Sequence, residues 1–303
     1  MDSVIINQIT KTFGDNVAVS DLSLNVPKGS VYGFIGPNGS GKTTTLRMIM
    51  NILLPDSGEI QLLGDSYHSG LTDRIGYMPE ERGIYSRMKI RDVLTFYGGL
   101  KNANNLKSKI DYWLDKLDLK DRADAKVETL SKGMKQKVQF ITTVIAEPEL
   151  IILDEPFSGL DPVNMEIIRD AILDMKNKGT TVIFSTHDMN VAEQMCNFIF
   201  MIFNGKKVLD GTLDSIQKEY GSDTIRIKTN LADDMLLGIN GISKVHNLGQ
   251  IQELKMTPEC EPQAVLKEIL SKGEIDSFDI IKPALHDIFI RIAGPEAQEV
   301  SHA

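Results

Sequence analysis

The chain has little of what a secreted, membrane-spanning or nucleic-acid-coating protein needs. Only two of its 303 residues are cysteine, Cys196 and Cys260. They lie far apart and match no metal or redox spacing, so reduced thiols of a cytosolic protein are expected rather than a disulfide framework. No stretch approaches the roughly 18 uninterrupted apolar residues of a membrane-spanning helix, and the nearest run, Phe198 to Phe203, has the length of a buried strand. The start, Met1-Asp2-Ser3-Val4, shows no basic region leading into an apolar one, so no secretion signal is expected. Basic residues are also in deficit: 33 Lys and Arg face 42 Asp and Glu, a net charge of -9. A general nucleic-acid surface requires a basic face, which this balance opposes. Any work at a membrane must come through a partner.

What remains is an ordinary globular composition, 42% hydrophobic and 25% charged, on a chain longer than one average domain. A core of about two hundred residues with a smaller appendage is the natural division. Apolar runs alternate with helical patterns through the first two-thirds, as in an α/β domain with parallel strands. Strands are predicted at Val31 to Ile35, Arg74 to Met78, Leu150 to Leu153, Thr181 to Phe184 and Phe198 to Phe203. Helices are predicted at Thr43 to Ile52, and at Ile90 to Leu100 and Leu106 to Leu119 as a helical insertion. After a helical stretch, Leu213 to Tyr220, the pair Gly221-Ser222 reads as a linker and the pattern changes. Strands at 223–229, 242–246, 251–256 and 275–281, with helices near 231–237 and 264–270, give β-α-β-β-α-β, a ferredoxin-like order. The domains are therefore set at 1–220 and 223–294, with a tail at 295–303.

The chemistry is concentrated in two segments. Gly36-Pro37-Asn38-Gly39-Ser40-Gly41-Lys42-Thr43 fits G-x-x-x-x-G-K-[ST] between a predicted strand and a predicted helix. Its glycines let backbone N–H groups turn toward phosphates, and the helix N-terminus adds partial positive charge. Lys42 is expected to reach the β- and γ-phosphates, and the Thr43 hydroxyl to ligate Mg²⁺, with Thr44 following in the same turn. Ile151-Ile152-Leu153-Asp154-Glu155 then sets two carboxylates at the end of an apolar strand. Taken alone they read equally well as solvated acids. Behind a phosphate loop, Asp154 is expected at the metal and Glu155 as the group that polarises an attacking water.

With these motifs in order, the chain resembles the nucleotide-binding subunits of ABC transporters over residues 1 to about 220. The resemblance rests further on Leu130-Ser131-Lys132-Gly133-Met134, about twenty residues before Asp154, on Ser158-Gly159-Leu160-Asp161 and on His187. It implies a P-loop ABC ATPase core with antiparallel β and helical subdomains, and a small C-terminal α+β domain. It implies ATP and Mg²⁺ as cofactors, Phe13 stacked on adenine, and His187 sensing the γ-phosphate. By the same resemblance Ser131 and Gly133 complete the site around ATP held by another protomer's Lys42, and Asp161 lies in the loop that meets the opposite subunit. Each residue also has a plainer reading: Phe13 as a core aromatic, Asp161-Pro162 as a helix start and His187 as a surface histidine. His68, His246, His286 and His302 have no such context.

Two departures from the family pattern stand out. Lys132 and Met134 replace a glycine and a glutamine, and Lys132, Lys135 and Lys137 crowd a helix start. Cations there oppose the helix dipole unless an anion is near, so either Lys132 or Lys135 lies close to the triphosphate bound by the other subunit, or the three form a solvated basic face. In Tyr77-Met78-Pro79-Glu80-Glu81-Arg82, Glu80 stands where the family has glutamine at the metal. A carboxylate is a stronger ligand for a hard cation. The alternative is that Glu80 faces solvent or pairs with Arg82.

The same two segments are similar to the ATPase subunits of type-2 exporters for sodium, antibiotics and bacteriocins, which often carry a C-terminal domain ending like Pro283 to Ile290. The expected function is thus an ATP-hydrolysing exporter subunit with Glu155, His187 and Lys42 as catalytic residues. It would close head to tail with a second copy or a homologous subunit, at the inner face of the cell membrane through a separate transmembrane permease. The alternative is a soluble ABC ATPase acting on nucleic acid or ribosomes. The C-terminal domain is either a ligand sensor or a packing appendage.

Overall fold

The computed structural model describes residues 2–66, 69–81, 83–221, 224–257 and 259–294. Tyr67, His68, Arg82, Ser222, Asp223, His302 and the tail at 295–303 lie outside them, so the linker at Ser222 and the Arg82 pairing stay expectations. The chain forms two compact units that divide between Leu213 and Asp214.

The first unit opens with β1 (Asp2–Phe13), β2 (Asn16–Pro27), β3 (Val31–Ile35) and α1 (Lys42–Ile49). Next come β4 (Ser57–Leu62), β5 (Asp65–Ser66), β6 (Ile75–Met78), α2 (Ile90–Leu100), α3 (Leu106–Lys116) and α4 (Lys132–Val144). It ends with β7 (Leu150–Asp154), α5 (Pro162–Asn177), β8 (Thr181–Thr186), α6 (Met189–Met195), β9 (Phe198–Phe203) and β10 (Lys206–Thr212).

Two sheets organise it. One has the strand order β10-β9-β3-β8-β7-β6, parallel from β9 to β6, with β10 antiparallel at the edge. Strands β3, β7 and β8 are buried at every position, the pattern of parallel strands covered on both faces. The other sheet, β2-β1-β4-β5, is antiparallel. In β1 the inward residues are Val4, Ile6 and Ile9 rather than a strict alternation. Gln8 takes a left-handed φ of 50°, and the ladder to β2 shifts register between Ile6 and Ile9. This bulge puts Ile9 back on the core face. Val4, Ile6, Leu24, Phe34, Leu46 and Ile152 belong to one continuous core.

The second unit runs α7 (Leu213–Glu219), β11 (Thr224–Thr229), α8 (Asp233–Leu237), β12 (Ile242–Asn247), β13 (Gln252–Met256), α9 (Pro262–Lys272), β14 (Ile275–Ile281) and α10 (Leu285–Ala293). Its sheet has the order β12-β13-β11-β14 with every neighbour antiparallel, the ferredoxin-like arrangement expected from the sequence. Ile225 and Ile227 of β11, Leu254 of β13 and Val265 and Ile269 of α9 share its core.

Candidate functional site

The site is built where β3 and β7 end side by side across β8. Beyond Ile35 the chain enters a glycine-rich turn that closes on the α1 N-terminus. Gly41 caps α1 at a left-handed φ of 109°, and a Cβ there would stand 2.6 Å from the Ala18 carbonyl. At Gly36 a Cβ would come within 2.2 Å of the Ile202 carbonyl. Both are places where only glycine fits. Lys42, the first residue of α1, is 5% exposed and turns its Nζ back over the loop, donating to the Gly36 carbonyl at 2.7 Å and the Pro37 carbonyl at 3.0 Å. Burial holds its pKa below the usual lysine value, against the opposing pull of Glu155, Asp154 and Glu80.

Strand β7 delivers the carboxylates. Asp154 is 1% exposed; its Oδ1 accepts hydrogen bonds from Ser185 Oγ at 2.5 Å and Thr43 Oγ1 at 3.2 Å. Among the described residues its Oδ2 is buried without a partner, as is Ser40 Oγ in the loop. Buried acceptors are ordinarily satisfied, so an orphaned carboxylate oxygen beside the Thr43 hydroxyl fits a hard cation. Among the described residues no three His, Cys, Asp or Glu gather into a metal cluster. A hard cation such as Mg²⁺ takes few protein ligands and completes its shell with phosphate and water.

Glu155 follows with a left-handed φ of 49°, uncommon for a residue other than glycine, which swings its carboxylate out of line with the strand. Its amide donates to Ser185 Oγ at 3.0 Å, and its Oε1 lies 3.0 Å from His187 Nδ1 and 3.8 Å from Lys42 Nζ. Burial pushes the Glu155 carboxyl above the usual range, with His187 and Lys42 pulling the other way. A buried, proton-accepting carboxylate oriented by a histidine is suited to general base chemistry. The register Asp154↔Ser185 explains the role of Ser185, which the sequence reading passed over. Its signal was present in Ser185-Thr186-His187-Asp188, one strand away from the acids.

Lys42, Thr43 and Glu155 line a cleft of about 680 Å³ with Phe13, Val17, Asn38, Gly39, Thr44 and Glu80. Phe13 is 50% exposed at the tip of β1, with Lys11 Nζ 5.7 Å from its ring centroid, so the core reading that its residue type favours is incorrect. Glu80 is exposed and enters the same cleft. Ser131, Gly133 and Asp161 are not among its lining residues. Ser131 caps α4, its Oγ accepting from the Met134 amide at 3.2 Å, and Asp161 caps α5, its Oδ1 accepting from the Asn164 amide at 3.0 Å. Gly133 lies against Asn164 and Leu160, where a Cβ would be 3.2 Å from Asn164 Nδ2. Gly133 thus brings the start of α4 against the start of α5, the two helix ends that Ser131 and Asp161 cap. Lys132 packs its ammonium over Gly159 in that junction. Lys137 is 3% exposed and faces Asp118 and Asp161, so the three lysines do not form one solvated face. His246 and His286 are exposed in the second unit.

Comparison with known proteins agrees with this geometry. The ABC transporter family matches residues 19–158, and the C-terminal domain of DrrA1-3-like ATP-binding proteins matches residues 211–293. The uncharacterized ABC transporter ATP-binding protein YhaQ of Bacillus subtilis is 39% identical over 293 residues, spanning 95% of this chain and 98% of that protein. Nod factor export ATP-binding protein I of Burkholderia lata is 31% identical over 302 residues, spanning 96% and 97%. A solved ATP-binding subunit of an ABC transporter superposes with a TM-score of 0.67 at 28% identity, over 72% of this chain and 93% of that one. With its phosphate loop, its paired strand-end acids and relatives matched end to end, the chain belongs to the ATP-hydrolysing, ATP-binding subunits of ABC transporters.

Proposed function

We propose that this subunit drives an exporter, and that it works as a head-to-tail pair sandwiching two ATP. The observation that carries the pairing is the separation of the site into two surfaces. Lys42, Asp154 and Glu155 gather at the ends of β3 and β7, while Ser131 and Gly133 stand at the start of α4 outside that cleft. A second copy, or a homologous subunit, presenting its α4 start to this cleft brings a capping hydroxyl and a close backbone approach to the triphosphate. In this reading Phe13 stacks on adenine, residues 36 to 44 hold the phosphates, and Thr43, Asp154 and Glu80 hold Mg²⁺, which supplies charge neutralisation of the phosphoryl oxygens. Glu155 accepts the proton of the attacking water and His187 fixes the Glu155 carboxylate from its open side. Most of the acceleration then comes from positioning and charge.

Export is supported by the Nod factor export relative and by the DrrA-like C-terminal match. No helix among the described residues is long and apolar enough to cross a membrane; in this reading a separate permease carries the substrate and holds the subunit at the inner membrane face. The candidate contact is the apolar groove beside the Glu80 loop, about 350 Å³, lined by Ile75, Pro79, Ile84, Tyr97 and Leu100. Next to it Tyr85 and Phe96 stack edge to face at 5.5 Å, and both are exposed. Action on nucleic acid or ribosomes finds no support in the relatives, and the net charge of -9 opposes it.

Glu155→Gln tests the reading. With ATP and Mg²⁺ the variant should sediment as a dimer and hydrolyse ATP roughly a hundredfold or more slowly than the wild type, and capture an integral membrane protein from gently solubilised membranes. Retained turnover removes Glu155 from catalysis. Capture of ribosomal proteins or DNA alone removes the exporter.

A further inference from the structure

Helix α4 begins at the Ser131 cap and carries two buried glutamines on one face, Gln136 and Gln139, 3% and 4% exposed. Residues three apart on a helix are neighbours on its surface. Gln136 Nε2 donates to the Pro156 carbonyl at 3.1 Å, the residue after Glu155. Gln139 Nε2 donates to the Pro79 carbonyl at 2.9 Å and, at 3.4 Å, to the Glu81 carbonyl, the two residues that flank Glu80. One helix therefore grips the backbone of both loops that bear the candidate acids.

We infer that Gln139 is a positioning residue for Glu80, its amide fixing the 79–81 backbone so that the Glu80 carboxylate stands at the cleft, and tying the position of that carboxylate to α4. The inference rests on the proposed role of Glu80 at Mg²⁺. Gln139 Oε1 is buried without a partner among the described residues, so the amide is used through its donor side. A methionine of similar length fills the same space but lacks the donor to the loop. The consequence is a link between the two surfaces of the proposed dimer: a displacement of α4, whose start would touch the other subunit's nucleotide, moves Glu80 in its own cleft.

The test follows Mg²⁺ binding rather than turnover. Full-length chains are loaded with a methylanthraniloyl-labelled, non-hydrolysable ATP analogue, and Mg²⁺ is titrated for the wild type, Gln139→Met, Glu80→Gln and the double variant. Gln139→Met should melt somewhat lower than the wild type, stay folded at the assay temperature, and bind the analogue without Mg²⁺ as the wild type does. It should need about three- to tenfold more Mg²⁺ for half-saturation, the effect of losing one or two net hydrogen bonds. Glu80→Gln should shift at least as far, and the double variant no further than Glu80→Gln. Should Gln139→Met fold poorly, Gln139→Asn, which keeps the amide and loses its reach, takes its place with the same expected shift in Mg²⁺ requirement. A shift for Glu80→Gln with none for Gln139→Met overturns the inference and leaves Glu80 at the metal. Additive shifts also overturn it, because Gln139 then acts elsewhere. No shift for Glu80→Gln overturns the metal role of Glu80 and the inference with it.

Discussion

At the scale of single residues, Glu155 is where burial and chemistry meet. Its pKa is raised by desolvation, so its basic form is lost at a higher pH than for a free glutamate, near 4.3. The turnover of the enzyme should accordingly fall on acidification along a limb centred above that value, because the base must be ionised. His187 lowers the Glu155 pKa. Replacing His187 by Gln therefore moves the limb to still higher pH, which a profile of kcat against pH reads directly; a limb that stays in place or moves down detaches His187 from Glu155. Most of these residues were legible in the sequence because spacing around a phosphate loop is a local property. Lys42, Thr43, Asp154, Glu155 and His187 all come together as expected. Phe13 was ambiguous by residue type, since only the tip of a hairpin exposes it. Ser185 and Gln139 were missed because each acts through a partner far along the chain, Asp154 and Pro79, that no local pattern reveals.

Among elements, α4 does two jobs at one residue. Ser131 caps the helix in the free chain, and the proposed dimer uses the same hydroxyl on a nucleotide. Ser131→Ala should cost about 1 kcal/mol of folding stability through the lost cap, read from the denaturant midpoint without ATP, and should weaken ATP-driven dimerisation as well. Unchanged dimerisation in Ser131→Ala with the expected loss of stability would confine Ser131 to capping. Elements with continuous or regular apolar patterns were read with their true ends: Val31–Ile35, Ile90–Leu100, Phe198–Phe203 and Ile275–Ile281. Helix α3 stops at Lys116, short of the expected Leu119, because Asp118 turns left-handed at a φ of 56°. Strand β1 escaped notice because its bulge at Gln8 breaks the alternation on which strand recognition depends.

For the whole molecule, the separation between the Lys42 cleft and the α4 start decides how the protein fails. Each proposed site takes its phosphate loop from one chain and its Ser131 from the other, so a defect at either place disables both sites of a pure variant. Lys42→Ala and Ser131→Arg chains should each be inactive alone. Mixed in equal amounts, half the dimers pair unlike chains, and each such dimer joins one sound Lys42 to one sound Ser131. About a quarter of wild-type ATPase should return if the sites turn over independently, and a mixture as silent as its components would mean that every site is built within one chain. In a cell carrying both alleles the two lesions would complement each other although they lie in the same gene, and a geneticist mapping them by function would place them in two.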